Sequence, residues 1–251
     1  MHLTEGHCNE NLPGMVRLQI SSDEQPRNVS AAHIKAVAQR LFAERGVDGV
    51  TVREIAAAAG QKNHGAVGYY FGSKEALVRE IIVDGAAAID ARRNAALDRL
   101  EQDGGPRTVR EVVDVLIFPA VAADPGEGDY TCFITMLAMT HRDLMMDALA
   151  DRLNIGYRRC LDHLRRLMPD MPPALKNQRF IFIGNYLNAV LSARQRALAD
   201  ESRRHPTWDA EETLDHFARS VVAIIEMPPA DTETHAAEAA PEYDAEYGRA
   251  G

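Results

Sequence analysis

TVREIAAAAGQKNHGAVGYYFGSK, residues 51–74, is the stretch on which the fold turns. Thr51 with Glu54 three residues later is a capping box, the mark of a helix start. Ile55 and four alanines at 56–59 continue that helix, and small side chains there let a second helix cross closely. Gly60 breaks it. The sequence predicts a second short helix from Lys62 or Asn63 to about Tyr70, stopped by Gly72, before Ser73 caps a third. The second is too short to stand alone and has to be held by packing, through Ala66, Val67 and Phe71. Two brief helices at an angle, the second carrying polar side chains outward, form the geometry that enters the major groove of DNA.

Upstream, a helix is expected from Asn28 or Ser30 to about Arg45, with Val29, Ile34, Val37, Ala38, Leu41 and Phe42 on one stripe. Residues 1–27 read as a flexible arm. Downstream, the helix capped by Ser73 should reach about Leu100 and close at the linker 102–106, QDGGP. Further helices are expected over roughly 108–122, 130–138, 142–167, 174–202 and 210–225, with Pro119 ending or kinking the first. No sustained alternation of period two is present, so the fold class is all-α. The last residues, 227–251, are acidic, poor in aliphatic mass and expected to be disordered. The resulting division is an arm (1–27), a head (28–82), a helical body (83–226) and a tail (227–251).

At 251 residues the chain exceeds one small domain, and its net charge of -9 argues mildly against nucleic acid. The distribution of that charge alters the inference. From residue 27 to 82 there are eight basic and five acidic residues, whereas 226–251 holds one basic and seven acidic. Contact with DNA depends on charge near the phosphates, so the head is the favourable part. Cys8, Cys132 and Cys160 have no zinc or redox spacing and suit a cytoplasmic protein with free thiols. No stretch has 18 consecutive apolar residues, no signal peptide is visible, and no cluster calls for a metal or cofactor. No catalytic spacing is compelling, so an enzyme is not expected.

In order along the chain stand Ala36 to Phe42 before Gly46, then Thr51, Val52, Ile55, Ala56, Ala59 and Gly60, then the close YYFGSKEAL from Tyr69 to Leu77. In that combination, residues 30–82 resemble the DNA-binding domain of the TetR (tetracycline-repressor) family of bacterial transcription regulators. Departures from the family pattern fall between Gly60 and Phe71. That stretch is one residue longer than usual, Gly68 stands where an aromatic residue is common, and Gly65 lies inside the expected recognition helix.

The resemblance implies a three-helix helix-turn-helix head on a C-terminal helical ligand-binding and dimerisation domain. It implies a dimeric repressor, released from an inverted-repeat operator by a small, largely apolar effector. A helical protein-interaction adaptor with a degenerate head is the alternative. Lys62, Asn63 and His64 are the expected groove-facing residues, since Asn can pair with adenine and Lys can reach guanine or phosphate. Gly65 would allow close approach, the resemblance favours Tyr70 as the phosphate-side residue with Tyr69 partly exposed, and Lys74 is an expected phosphate clamp. Thr51 and Arg53 are candidates for the DNA backbone. Homodimerisation is expected through the helices near 174–202 and 210–225, using Ile181, Ile183, Leu187, Val190 and Leu191 with Leu214, Phe217, Val221, Val222 and Ile225. Effector contacts are expected from Phe118, Phe133, Met136, Leu137, His141, Met145 and Tyr157, because methionine and aromatic side chains adapt to irregular cavities. Thr135 and Thr140 would add polar handles.

Overall fold

The computed structural model describes residues 24–121, 127–149, 154–210 and 212–230, and the side chains of residues 24–29 and 127 are left aside. All regular structure among the described residues is helical, with no strand among them. The expected arm before residue 24, the tail beyond 230 and residues 122–126 lie outside these residues.

Helix α1 (Glu24–Arg45) begins four residues ahead of the expected Asn28. Pro26 sits in its first turn, where its missing N–H costs no helical hydrogen bond. Ile34, Ala38 and Phe42 are fully buried along one side of α1. Helix α2 (Val52–Ala58) starts on the predicted capping box: Glu54 N–H donates to the Thr51 hydroxyl, and Thr51 N–H donates to the Glu54 carboxylate. Gly60 then adopts φ +66°, a conformation that glycine takes at little cost. Helix α3 (Ala66–Phe71) starts later than the expected Lys62 or Asn63. The reason is local: the Asn63 side-chain oxygen accepts the Gly65 N–H at 2.8 Å, which makes a turn out of residues that would otherwise begin a helix. Gly72, at φ +78°, closes α3, and Ser73 caps α4 (Lys74–Gln102) by accepting the Ala76 N–H at 3.0 Å.

Helix α4 is 29 residues long, about 43 Å at 1.5 Å per residue, and runs without a break from the head into the body. Gly104 and Gly105, both at positive φ, end it at the predicted linker. A second capping box, Thr108 with Glu111, starts α5 (Val109–Ile117). As expected of Pro119, α5 does not continue through it but passes into a single 3-10 turn at Phe118–Ala120. Then follow α6 (Glu127–Thr140), α7 (Arg142–Leu149), α8 (Ile155–Leu167), α9 (Pro173–Ala199), α10 (Pro206–Asp209) and α11 (Glu212–Glu226). The single helix expected over 142–167 is thus two, α7 and α8, and α10 is an addition between the last two long helices.

Buried side chains form two clusters. The body cluster joins α4, α5, α8, α9 and α11 around Leu97, Leu116, Leu164 and Ile183. The other does not stop at the head. Ile34, Phe42, Ile55, Val67 and Leu77 share it with Phe133 and Leu137 of α6 and Leu149 of α7. Helix α6 packs on both α1 and α9, so it touches head and body at once.

The expected dimer residues need correction. Ile183, Leu187 and Leu191 of α9, with Phe217, Val221 and Ile225 of α11, are buried within the protomer, where α9 and α11 pack into the body core. A helix with apolar residues on more than one side hides the distinction in a sequence. The large apolar side chains of α9 left exposed are Ile181, Phe182 (55% exposed) and Tyr186.

Candidate nucleic-acid interface

The core of the head fixes which side of α3 faces outward. Ala66, Val67 and Phe71 are buried against α1, α2 and α4. Lys62, Asn63, His64, Gly65, Gly68 and Tyr69 are all exposed, and Tyr70 and Lys74 are partly exposed. A Cβ placed on Gly68 would meet nothing within 4 Å. With glycine at both 65 and 68, the outer side of α3 is largely bare backbone. The polar side chains exposed on this side are therefore those of the preceding turn, Lys62 to His64, and Tyr69.

Each polar group has a definite state. Asn63 uses its side-chain oxygen within the turn, so its amide N–H groups are what it offers to a partner. Tyr69 is 63% exposed, and its ring meets Tyr70 edge-on with centroids 5.0 Å apart. Tyr70 packs against the head core and lies 6.3 Å from Phe71, so the outward ring is Tyr69 and not, as the resemblance favours, Tyr70. Thr51 is exposed, yet both of its donors are engaged: its N–H and its hydroxyl each donate to Glu54 at 2.7 Å. That makes Thr51 a helix cap with no donor left for a phosphate. Arg53 is exposed on the first turn of α2, and Lys74 begins α4 directly after its Ser73 cap.

Arg45 does not add to this face. It ties the loop after α1 to α2, donating to the Gly49 carbonyl and to Glu54 at 2.7 Å. The hydrogen bonds from Thr51, followed by that from Arg45, hold the Glu54 carboxyl at about 2, well below the usual 4.5.

The seven expected effector residues do not gather in one place. Phe133 and Leu137 are buried in the cluster shared with the head, Phe133 lying 6.1 Å from Phe42 between ring centroids. Met136 reaches Gly46, where a Cβ would stand 3.2 Å from its sulfur. Met145 packs on the same cluster, and the His141 imidazole lies 3.2 Å from the Asp48 carboxylate. These five form the seam between the head and α6–α7. Phe118 is exposed on the 3-10 turn, and Tyr157 sits on α8 with its ring 5.7 Å from the Arg93 guanidinium. Of the two threonines, Thr135 donates to the Thr131 carbonyl and Thr140 to the Met136 carbonyl, both within α6.

A cleft of about 630 Å³ opens elsewhere, between α1, α4 and the start of α6, and none of the seven lines it. Sequence reasoning had one visible mark for it, the run GAAA at 85–88, which places small side chains on the side of α4 facing α1. No three His, Cys, Asp or Glu side chains converge as a metal site among the described residues. No described helix is long and apolar enough to cross a membrane.

A short helix pair with an outward turn, followed by a long helix into an all-α body, is the architecture of a helix-turn-helix regulator. Residues 34–81 match the family of bacterial regulatory proteins called the tetR family, in agreement with the resemblance read from YYFGSKEAL and the segments before it. No curated protein matches the chain. Among solved structures, one assigned to the tetR family of transcription regulators from Shewanella sp. PV-4 aligns over 78% of this chain and 95% of its own, with 16% identity and a TM-score of 0.50. At that identity the likeness is one of fold. The TetR-family regulator PfmR from Thermus thermophilus aligns over 78% of this chain and 99% of its own, with 17% identity and a TM-score of 0.43.

Proposed function

We propose that this chain is a DNA-binding transcription regulator that acts as a homodimeric repressor on an inverted-repeat operator and leaves it when a small, largely apolar effector binds the body. The observation that carries this is the exposed surface of Lys62, Asn63, His64 and Tyr69, set on a buried three-helix core beside Lys74. In this reading residues 28–82 form the head and 83–226 the body, with α4 crossing the boundary at full length.

Base readout falls to Lys62, Asn63 and His64, and phosphate contact to Arg53, Tyr69 and Lys74. The bare backbone at Gly65 and Gly68 lets α3 come close to the groove floor. Tyr70 supports Tyr69 from behind. The exposed Ile181, Phe182 and Tyr186 on α9 support dimerisation through α9 and α11. A two-fold pair of heads about one DNA turn apart matches an inverted repeat. An effector that binds one separation of the heads better than another shifts operator affinity reciprocally.

The test is selection of duplexes from a random pool at fixed, near-physiological salt. An inverted repeat is the expected product. On that operator, Asn63→Ala should cost ~1–3 kcal/mol and relax preference at one position, whereas Lys74→Ala should weaken all sequences alike and lower the salt slope by about one. Recovery of no sequence by a folded protein would reject DNA recognition and leave the protein-interaction reading.

A further inference from the structure

The turn that leads into α3 is anchored on Asn63. Its main-chain carbonyl accepts the Ala66 N–H at 3.1 Å, and its side-chain oxygen accepts the Gly65 N–H at 2.8 Å. The second bond fixes which end of the amide is which. A flipped amide would set its NH2 against the Gly65 N–H, two donors facing each other. The oxygen is also close to the chain: a Cβ on Gly65 would stand 3.2 Å from it and 3.9 Å from the amide nitrogen. Glycine at 65 leaves room for the oxygen to sit there. Asn63 is exposed, and what it has left for a partner is its NH2.

The two ends of an amide read different base edges. Bidentate pairing with adenine uses both: the nitrogen donates to N7 while the oxygen accepts from the N6 amino group. At Asn63 the oxygen is taken. Adenine would have to break the turn bond or share that acceptor between two donors, weakening each. Guanine makes no such demand, because its N7 and O6 are both acceptors and an NH2 suits them with the turn intact. Cytosine sets its N4 amino group against the amide, donor against donor, and thymine supplies a single acceptor. Lys62, exposed beside Asn63, likewise carries donors and no acceptor.

We infer that Asn63 reads guanine in each half-site of the operator, not the adenine that its residue type alone suggests. The turn makes it a specificity-determining residue that acts as a donor only. The assignment deepens the proposed function and rests on it, since it names the base met by a surface already given to DNA.

The test uses the full chain, with duplexes selected at one near-physiological salt concentration and then compared as four operators that differ only at one base pair. Asn63→Ala locates that pair, as the single position in each half-site where preference relaxes. There the native protein should prefer guanine at least about fivefold over adenine, the lower end for discrimination by a good base contact. Asn63→Asp separates reading from mere support of the turn. One carboxylate oxygen still accepts the Gly65 N–H, while the other accepts where the amide donated. Preference at that pair should pass to cytosine or adenine, whose edges present amino groups, by at least the same factor. The added negative charge weakens all four duplexes alike, so relative preference is the readout. An unchanged circular dichroism spectrum shows that both variants are folded. Three results overturn the assignment: a base other than guanine preferred by the native protein at the located pair, an Asn63→Asp variant that does not come to prefer cytosine or adenine, or no position relaxed by Asn63→Ala. Each of these leaves the recovered repeat, and with it the regulator reading, standing. Recovery of no sequence by the native protein would reject that reading and this assignment together.

Discussion

Replacing Asp90 with alanine should destabilise the protein by about 3 kcal/mol. Asp90 lies on α4, only 7% exposed, and its carboxylate reaches across to α8. One oxygen accepts the Gly156 N–H at 2.8 Å and the other accepts the Asn94 side-chain amide at 3.0 Å. Asn154, the residue preceding α8, makes no side-chain cap, so Asp90 satisfies the start of that helix from a neighbouring one. Alanine leaves the Gly156 N–H buried and unpaired, at roughly 1–3 kcal/mol, and removes a negative charge from a helix N-terminus, at roughly 0.3–2 kcal/mol. It also removes a carboxylate whose field reaches Arg93, a guanidinium whose pKa burial already lowers and whose Nε lacks a partner. At about 2–4 °C per kcal/mol for a protein of this size, Tm should fall by about 6–12 °C at fixed protein concentration. Asp90→Asn should fall by about half as much. Its carbonyl can still accept from Gly156, but its amide then faces that of Asn94, which Arg159 holds by donating to the Asn94 oxygen at 2.7 Å. Thermal unfolding followed by circular dichroism reads both values. A change below about 0.5 kcal/mol for Asp90→Ala would refute the claim that α4 caps α8.

Three further outcomes follow from other contacts. Gly85→Ala should cost about 2–3 kcal/mol, because its Cβ would stand 2.2 Å from the Tyr130 ring, and the cost should shrink in a Tyr130→Ala background. The Glu54 carboxyl, held at about 2, binds its proton more weakly folded than unfolded, so its contribution is complete above about 4.5 and is lost as pH falls toward 2. The Tm difference between the native protein and Glu54→Gln should therefore shrink over that interval, and a constant difference would contradict the assignment. Burial pushes the Cys160 thiol up to about 12, so iodoacetamide at pH 8 should leave Cys160 unmodified until the protein unfolds, as peptide mass mapping would show.

The parts of the fold legible in the sequence are those specified by local chemistry. Thr51 with Glu54, Ser73, Gly60, Gly72 and the Gly104–Gly105 pair stand where the helices start and stop, because a cap or a positive φ is decided within a few residues. The start of α3 was not legible at Lys62. There the Asn63 turn competes with the helix, and a six-residue helix has too few internal bonds to settle the contest by itself. The split between α7 and α8 was likewise hidden, since Arg142 to Leu167 keeps a helical spacing of apolar residues on either side of the break.

Partners across space were hidden for a different reason. Methionine and aromatic residues at helical spacing mark a packed side of α6 and α7 but not what packs on it, and the partner of Phe133 proves to be Phe42 of the head. That contact changes how the junction has to work. Because Phe133, Leu137 and Leu149 share one buried cluster with Phe42, Ile55 and Leu77, the head cannot swing on α4 alone without parting from α6 and α7. Close-packed side chains resist gradual shear, so the junction has to move as a block or repack in discrete steps. A displacement of α6, which also packs on α9, is then felt at α1 directly. The cleft lies beside this junction, where Tyr130 of α6 rests on Gly85 of α4.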